Sequence, residues 1–359
     1  MDPVTHMLTG ACLSRALGFP ARVRYATAAC VIAAEIPDAD YVYRLGGPLV
    51  YFQHHRGWTH ALWSLPLQAA IVTATFYLVH RAQRQRHRST DVPPYWPLLF
   101  GLCLLALLSH LLLDWTNNYG LRPFAPWNPR WYSADLVFIV EPLLLLFLGG
   151  ALLLPPLFSL INGEIGARKP RSAGRGLAAT ALVLMTALWG FRFMQHNNAK
   201  TQARHQDYRS GPVLRMGLNP YPINPFRWFV VAETASALEL GSFDNRTGTY
   251  DDDTLRTLSK PPITPAVTAA KQSWLGRVYL DWARSPLVED RGTVEQLHPD
   301  MDLEPQERIW RVVRFTDLRF GYPVLGISGN RVPLSAEAWV DATQHIQRVF
   351  LGQSEQKLP

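Results

Sequence analysis

The side chains best suited to chemistry in this chain are histidines and aspartates in its N-terminal half. His110 and Asp114 are four residues apart, so a helix through them places both side chains on one face, one turn apart. His60 and the pair Asp38 and Asp40 lie earlier in the sequence. Imidazole nitrogens and carboxylate oxygens are ligands of zinc and related divalent ions, and two of each would complete a tetrahedral shell. The sequence therefore predicts a metal site built from these residues.

Further residues extend this predicted site. His6 and Glu141 could contribute ligands to a second ion, and a pair of ions is suited to phosphoester hydrolysis. The planar guanidinium of Arg56 could bind a phosphate through two parallel hydrogen bonds. An aspartate that is not a ligand could accept the proton of the attacking water. We predict one or two divalent ions, with zinc as the expected metal, bound by ligands drawn from His6, Asp38, Asp40, His60, His110, Asp114 and Glu141, and we predict Asp38, Asp40 and Arg56 as catalytic residues.

Each of these residues also has a purely structural interpretation. Polar side chains in membrane bundles form interhelical hydrogen bonds, which would account for His60, His110 and Asp114 without a metal. Aspartates after a proline are common in turns, and an arginine at a bilayer surface can extend its head group into water. Glu141 could pair with Arg56 or with a histidine. A non-catalytic membrane scaffold or a partner-binding protein is therefore the alternative to an enzyme.

The elements that must position these residues are predicted to be membrane helices. A membrane-spanning helix needs about 20 mostly apolar residues, and four stretches approach that length. They are residues 61–79, 96–113, 136–157 and 177–193. Two shorter apolar runs, 4–18 and 25–36, predict a helical hairpin that is tilted across the bilayer or dips partway into it. We therefore predict an all-α membrane bundle over residues 1–195.

The distribution of charge supports a membrane location and predicts an orientation. Residues 1–194 contain 16 Lys and Arg against 9 Asp and Glu, whereas the rest of the chain has 19 of each. A basic excess confined to the apolar half indicates a membrane rather than nucleic acid. Basic residues near helix ends accumulate on the cytoplasmic side, so the candidate site and everything after residue 195 are predicted to be extracytoplasmic. The basic clusters are Arg15, Arg22 and Arg24; Arg81, Arg84, Arg86 and Arg88; and Arg168, Lys169, Arg171 and Arg175.

The order of these motifs over residues 1–195 resembles the YdjM-type family of bacterial inner-membrane, metal-dependent hydrolases. The motifs that carry the resemblance are His6 with Gly10, Pro37-Asp38-Ala39-Asp40, His55-Arg56-Gly57-Trp58-Thr59-His60, His110 and Asp114 with Thr116, Asn117 and Gly120, and Asp135 with Glu141-Pro142. The resemblance implies a multi-pass protein of the bacterial inner membrane.

That family is in turn distantly similar to zinc-dependent phospholipases C and single-strand nucleases. Their metal ligands run in the order Asp, His and then His-x3-Asp, an order that Asp38 or Asp40, His60, and the pair His110 and Asp114 would meet here. The chain lacks the later His and His-x3-Glu that complete the three-metal site of those enzymes. The resemblance therefore implies a metal-dependent hydrolase without implying a three-metal site.

The polar half of the chain has no recognisable catalytic motif. It lacks HExxH, GxSxG, a phosphate-binding glycine loop and CxxC, which removes the usual support for zinc peptidases, serine hydrolases and nucleotide-driven enzymes. We predict a juxtamembrane helix or linker over residues 196–210. Residues 211–359 are predicted to form a soluble extracytoplasmic α+β domain. Its predicted elements are a β-hairpin over 227–233 and 237–243, a helix over 264–284, and strands over 308–320 and 337–350.

Together, these features predict a membrane-bound metal-dependent hydrolase that acts on a phosphoester, such as a lipid head group, at the extracytoplasmic face. An amide or a carboxylic ester is the alternative bond. The expected partners are membrane lipid and a small-molecule or lipid phosphoester, nucleic acid is not expected, and the sequence leaves the oligomeric state open.

Overall fold

A computed structural model of the chain describes residues 1–85, 93–164, 174–327, 329 and 332–357. Five residues of the predicted basic clusters, Arg86, Arg88, Arg168, Lys169 and Arg171, lie outside these ranges. The chain divides into two compact units. The first comprises Met1–Asp40, Arg56–Gln195 and Pro220–Pro225, and the second comprises Tyr41–His55, His196–Asn219 and Phe226–Pro359.

The first unit is helical. Its helices are α1 (Pro3–Ala16), α2 (Ala26–Glu35), α4 (Leu65–Gln85), α5 (Trp96–Thr116), α6 (Pro142–Glu164) and α7 (Arg175–Arg204), although α7 belongs to the second unit from His196 on and α3 (Pro48–His54) belongs to it entirely. Among the described residues, three helices are long and apolar enough to cross a membrane: Leu62–Arg84, Trp96–Thr116 and Arg175–Arg204. Three of the four predicted membrane spans are therefore confirmed as helices of membrane-spanning length.

The predicted span over residues 136–157 is wrong at its start. The helix begins at Pro142 and runs to Glu164, so the predicted span starts six residues too early. Leu136 and Val137 precede it in irregular backbone and donate hydrogen bonds to the carbonyl of Thr116, at 2.8 and 3.1 Å. The end of α5 therefore holds these residues out of the helix that their hydropathy predicted.

The predicted short hairpin is confirmed as the two helices α1 and α2, which pack closely against each other. Gly10 allows the close approach. A Cβ atom there would lie 2.6 Å from the carbonyl oxygen of Cys30, so any side chain would push the helices apart. The contact aligns the start of α1, which carries His6, with the end of α2, which precedes Asp38.

Two apolar cores stabilise the first unit. One lies among α2, α4 and α5 and is rich in alanine, with Ala29, Ala33 and Ala106 fully buried. The other lies among α1, α6 and α7 and includes Cys12 and Leu144. Small residues let helix backbones approach closely in membrane bundles, so α5 is held firmly against α2.

The second unit contains two five-stranded sheets. In the first, β1 (Arg215–Pro220), β2 (Arg227–Glu233), β3 (Ala237–Asp244) and β4 (Thr249–Tyr250) lie in sequence order, and β5 (Arg256–Ser259) pairs with β3. The order of the second is β10 (Ser354–Gln356), β9 (Ile346–Leu351), β8 (Ala336–Val340), β7 (Arg311–Asp317) and β6 (Pro286–Thr293). Strands β2 and β3 pair antiparallel, which confirms the predicted hairpin. The mixed α+β class is also confirmed.

Two predicted elements of this unit are each divided in the structure. Residues 264–284 form two helices, α8 (Pro265–Gln272) and α9 (Trp274–Trp282), because the Ser273 side chain caps α9 by accepting a hydrogen bond from the backbone of Gly276. The predicted strand 337–350 is the pair β8 and β9. Asp341 makes the turn between them by accepting hydrogen bonds from the backbone of Thr343 and His345.

Candidate metal centre

Four of the predicted ligands come together in the first unit. Asp38, His60, His110 and Asp114 each offer one ligand atom, and all four atoms lie within 4.8 Å of one another. The Nε2 atoms of His60 and His110 are 3.1 Å apart, and they lie 3.3 and 3.4 Å from Asp114 Oδ2. Asp38 Oδ1 lies 3.4 Å from His60 Nε2 and 3.8 Å from His110 Nε2. We call these residues the four-residue group.

These separations match the edges of a tetrahedral metal site. Ligand atoms at 2.0–2.1 Å from one ion in a tetrahedron are about 3.3–3.4 Å from each other. The four distances from the two imidazoles to the carboxylate oxygens run from 3.3 to 3.8 Å, longer than good hydrogen bonds between such groups. Although the two Nε2 atoms are also within hydrogen-bond distance of each other, the spacing of the four atoms allows them to surround one ion.

Both imidazoles are oriented by their other nitrogen. His110 Nδ1 lies 2.6 Å from the carbonyl oxygen of Ala34, which can only accept, so Nδ1 carries the proton. In the neutral ring, Nε2 is then the acceptor, and it points into the group. His60 Nδ1 lies 3.0 Å from the Thr59 hydroxyl, which leaves its Nε2 to face the same point. This pattern is typical of histidines that bind metals.

Local structure explains how the chain delivers these side chains. His110 and Asp114 lie one turn apart near the end of α5, as their spacing predicted. His60 ends a short 3₁₀ helix, Trp58–His60, just before α4. Asp38 lies in the 3₁₀ segment Ile36–Gly46 that follows α2. The side chains of the two histidines and Asp114 are fully buried, whereas that of Asp38 is 26% exposed, so the group opens on the Asp38 side.

Asp38 and His60 lie outside the candidate membrane-spanning helices, and each stabilises the charged form of the other. Burial alone would raise the pKa of Asp38, but the hydrogen bond from His60 holds it below its ordinary value. Burial would lower the pKa of His60, but its hydrogen bonds with Asp114 and Asp38 raise it above the ordinary value. Positive charge is therefore stabilised where the four ligand atoms converge.

The structure places Asp40 behind His60 rather than within the four-residue group. Its Oδ2 accepts hydrogen bonds from the backbone N–H of Arg56 at 2.9 Å and from the Thr59 hydroxyl at 3.3 Å. It also lies 3.7 Å from His60 Nδ1, and the residue is 1% exposed. Asp40 thus holds the loop that carries His60.

Arg56 is buried against Asp114. Its Nη2 lies 2.8 Å from Asp114 Oδ1, and its Nη1 donates to the carbonyl oxygen of Gly120 at 3.0 Å. The guanidinium lies over the ring of Tyr119, 4.7 Å from its centroid. The Met1 amino group also contacts Asp114 Oδ1.

His6 lies beside the four-residue group. Its ring stacks on that of His110 with 3.8 Å between centroids, and its Nε2 is 3.4 Å from Asp114 Oδ1. The side chain is fully buried, and neither ring nitrogen has a hydrogen-bond partner among the described residues. His6 is therefore near enough to add a ligand on the Oδ1 side of Asp114.

Glu141 is held elsewhere in the first unit, by Arg192. The Arg192 Nη2 lies 2.9 Å from Glu141 Oε2, and both side chains are fully buried. Glu141 Oε1 accepts a hydrogen bond from the backbone of Ile223 at 3.0 Å, and Arg192 donates to the carbonyl oxygen of Tyr221 at 3.0 Å. The structure thus gives Glu141 an ion-pair partner and does not bring it to the four-residue group.

Sequence reasoning missed Arg192 and Glu35. An arginine within an apolar span was itself a signal, since such a charge needs a buried partner. Glu35, the last residue of α2, has one carboxylate oxygen that is buried without a hydrogen-bond partner among the described residues. Burial and the negative charges of Asp38 and Asp2 raise the pKa of Glu35 to about 7. Glu35 therefore adds a third acidic side chain to the pair Asp38 and Asp40 that the sequence indicated.

Comparison with known proteins identifies the family. The family described as YdjM inner membrane protein matches residues 1–199. The uncharacterized protein YfhP of Bacillus subtilis (strain 168) is 28% identical over 149 residues, which cover 40% of this chain and 42% of that protein, so the chain spans less than half of that relative's length. No solved structure matches the chain. Since the family match extends over more than half of the sequence and includes every residue of the four-residue group, the chain belongs to the YdjM inner membrane protein family.

Proposed function

We propose that this membrane protein is a hydrolase that uses a divalent metal ion, with zinc as the expected metal, to cleave a phosphoester at the extracytoplasmic membrane face. Membrane lipid head groups are the proposed substrate class. The proposal rests on the four-residue group and on its place at the end of a membrane-length helix, α5.

The observation that carries the proposal is the convergence of two imidazole nitrogens and two carboxylate oxygens on one point. The proton on His110 Nδ1 leaves Nε2 as an acceptor, and this atom faces a carboxylate oxygen of Asp114 at 3.4 Å and one of Asp38 at 3.8 Å. Asp114 Oδ2 is buried without a hydrogen-bond partner among the described residues, which is costly unless another group satisfies it. A divalent cation would satisfy all of these ligand atoms at once.

The donor set agrees with the proposed ion. Two imidazole nitrogens and two carboxylate oxygens suit zinc, and related ions accept the same ligands. When bound, such an ion would polarise a phosphoryl oxygen and make water more acidic. The residues of the chain would orient the reaction: Asp38 lies on the open side of the group, where a substrate would enter, and the buried imidazoles exclude water from the other side.

Lipid head groups fit the location of the site. The group lies where α5 ends and α4 begins, and the ends of membrane-length helices lie at head-group level. Trp58 and Trp63, which flank His60 in sequence, are 62% and 43% exposed. Exposed tryptophans at helix ends are typical of the membrane–water interface. The proposed extracytoplasmic orientation rests on the basic clusters of the sequence, through the tendency of such clusters to be cytoplasmic.

The test is metal content and hydrolysis by the full-length protein purified in mild detergent. We expect bound zinc or a related ion by elemental analysis, together with cleavage of bis(4-nitrophenyl) phosphate. His110→Ala should lose both while remaining assembled, and Leu112→Ala, at a 45% exposed position on the same helix, should lose neither. Cleavage of 4-nitrophenyl acetate alone would instead indicate an ester or amide hydrolase, and wild-type protein without any ion would refute the proposal.

A further inference from the structure

The two oxygens of Asp114 face different partners. Oδ2 faces the imidazoles of His60 and His110 at 3.3 and 3.4 Å. Oδ1 faces the guanidinium of Arg56 at 2.8 Å, and it also contacts the Met1 amino group and accepts from the Asn117 amide at 3.4 Å. A carboxylate can rotate about its last bond and exchange its two oxygens, so something must hold Asp114 in this orientation for Oδ2 to remain a ligand.

Arg56 is itself fixed on several sides. Its guanidinium donates to the Gly120 carbonyl oxygen at 3.0 Å and lies over the Tyr119 ring. Its backbone N–H donates to Asp40 at 2.9 Å, and its backbone carbonyl accepts from the N–H of Arg122 at 3.2 Å. A guanidinium with these contacts is a rigid support for the carboxylate.

The backbone at Arg56 shows that the loop is built around this contact. Arg56 has a φ of 53°, in the left-handed region that residues other than glycine seldom adopt. The side chain is 5% exposed. The chain therefore accepts an unfavourable backbone conformation and the burial of a charge to bring this guanidinium to Asp114.

We propose that Arg56 is a positioning residue for Asp114, which it holds with one oxygen towards the two imidazoles, and that it does not bind the substrate itself. This inference rests on the proposed function, since it assigns Asp114 as a ligand. It replaces phosphate recognition as the role of Arg56, because both terminal nitrogens of the guanidinium already have partners within the chain.

A positioning role and a substrate-binding role for Arg56 predict different effects on metal affinity and KM. Loss of an outer-shell partner lowers metal affinity, typically by roughly 10–100-fold, because the ligand loses its orientation. Loss of a substrate clamp raises KM and leaves metal affinity as it was. A purely structural arginine would change the melting temperature without changing the affinity of the folded protein for the ion.

The experiment measures zinc affinity of the full-length protein in mild detergent, by competition with a chromophoric chelator. Arg56→Gln should bind zinc roughly 10–100-fold more weakly than wild type. Arg56→Lys keeps the positive charge and so protects the fold, but a single flexible ammonium lacks the rigid planar fork that holds Asp114 and Gly120 in fixed positions, so zinc affinity should also fall. Arg130→Gln, at an exposed position, is the charge-matched control and should bind zinc as wild type does.

Unchanged or increased zinc affinity in the folded Arg56 variants would overturn the inference, whether or not KM rises. Failure of the proposed function would look different, because the wild-type protein itself would then bind no ion.

Discussion

Asp114 is the residue on which the candidate centre most depends, since it contacts both histidines of the four-residue group and also Arg56. Asp114→Asn keeps the volume and the ability to accept a hydrogen bond from Arg56 but loses the negative charge. We expect zinc affinity to fall by more than the roughly 10–100-fold typical of an outer-shell change. Chelator competition measures this, and equal affinity in Asp114→Asn and wild type would exclude Asp114 as a ligand.

Glu35 should make the free energy of unfolding of the protein depend on pH. Its pKa is raised from 4.5 to about 7, so the folded protein keeps the proton while the unfolded chain has already lost it. The contribution of Glu35 to stability should therefore decrease as the pH rises from 4.5 towards 7 and stay low above that.

Glu35→Gln removes the loss of stability that deprotonation of Glu35 causes at higher pH. Melting temperatures of wild type and Glu35→Gln, measured in the same detergent at pH 5 and pH 8, should show the variant gaining relative stability at the higher pH. Other groups, including His60, titrate in both proteins and cancel in the comparison. Parallel pH profiles for the two proteins would show that Glu35 is not protonated in the folded state.

At the scale of helices, the approach of α1 to α2 at Gly10 can be tested with a matched glycine. Gly10→Ala should cost about 1–3 kcal/mol, as overpacking does, because its Cβ would meet the Cys30 carbonyl oxygen. Gly101 on α5 has no atom within 4 Å of an added Cβ, so Gly101→Ala should be neutral or slightly stabilising. Equal melting temperatures of the two variants would contradict the close contact.

The ion pair of Glu141 and Arg192 links the residue just before α6 to α7, and it offers a test of the role of Glu141. Glu141→Gln leaves Arg192 buried without its counter-charge, which typically costs about 3–5 kcal/mol. We expect a lower melting temperature and unchanged metal content per folded molecule. Lost metal at an unchanged melting temperature would instead restore Glu141 as a ligand.

The sequence predicted elements and sites where the determining information is local. His110 and Asp114 share a helix, so their spacing alone placed them together. The partner of Glu141 was not predictable in this way, because Arg192 lies 51 residues further along the chain. The break at Ser273 was missed because one capping side chain overrode a continuous helical pattern. Hydropathy also extended one span to residue 136, where contacts with the end of α5 exclude a helix.

At the scale of the whole molecule, the orientation in the membrane is the remaining prediction. The basic clusters predict that residues after 195 are extracytoplasmic. A reporter that is active only in the periplasm should be active when fused after Pro359 and inactive when fused after Arg86. The reverse pattern would place the candidate centre on the cytoplasmic face and remove extracytoplasmic lipid as the proposed substrate.

The most direct test of the account is to locate the ion. Crystals of the full-length protein grown with zinc should give an anomalous difference peak at the zinc edge, between Asp38 Oδ1, His60 Nε2, His110 Nε2 and Asp114 Oδ2, at about 2.0–2.2 Å from each. A fully occupied peak there would establish the centre. Zinc-soaked crystals without a peak between these four atoms would contradict the central claim.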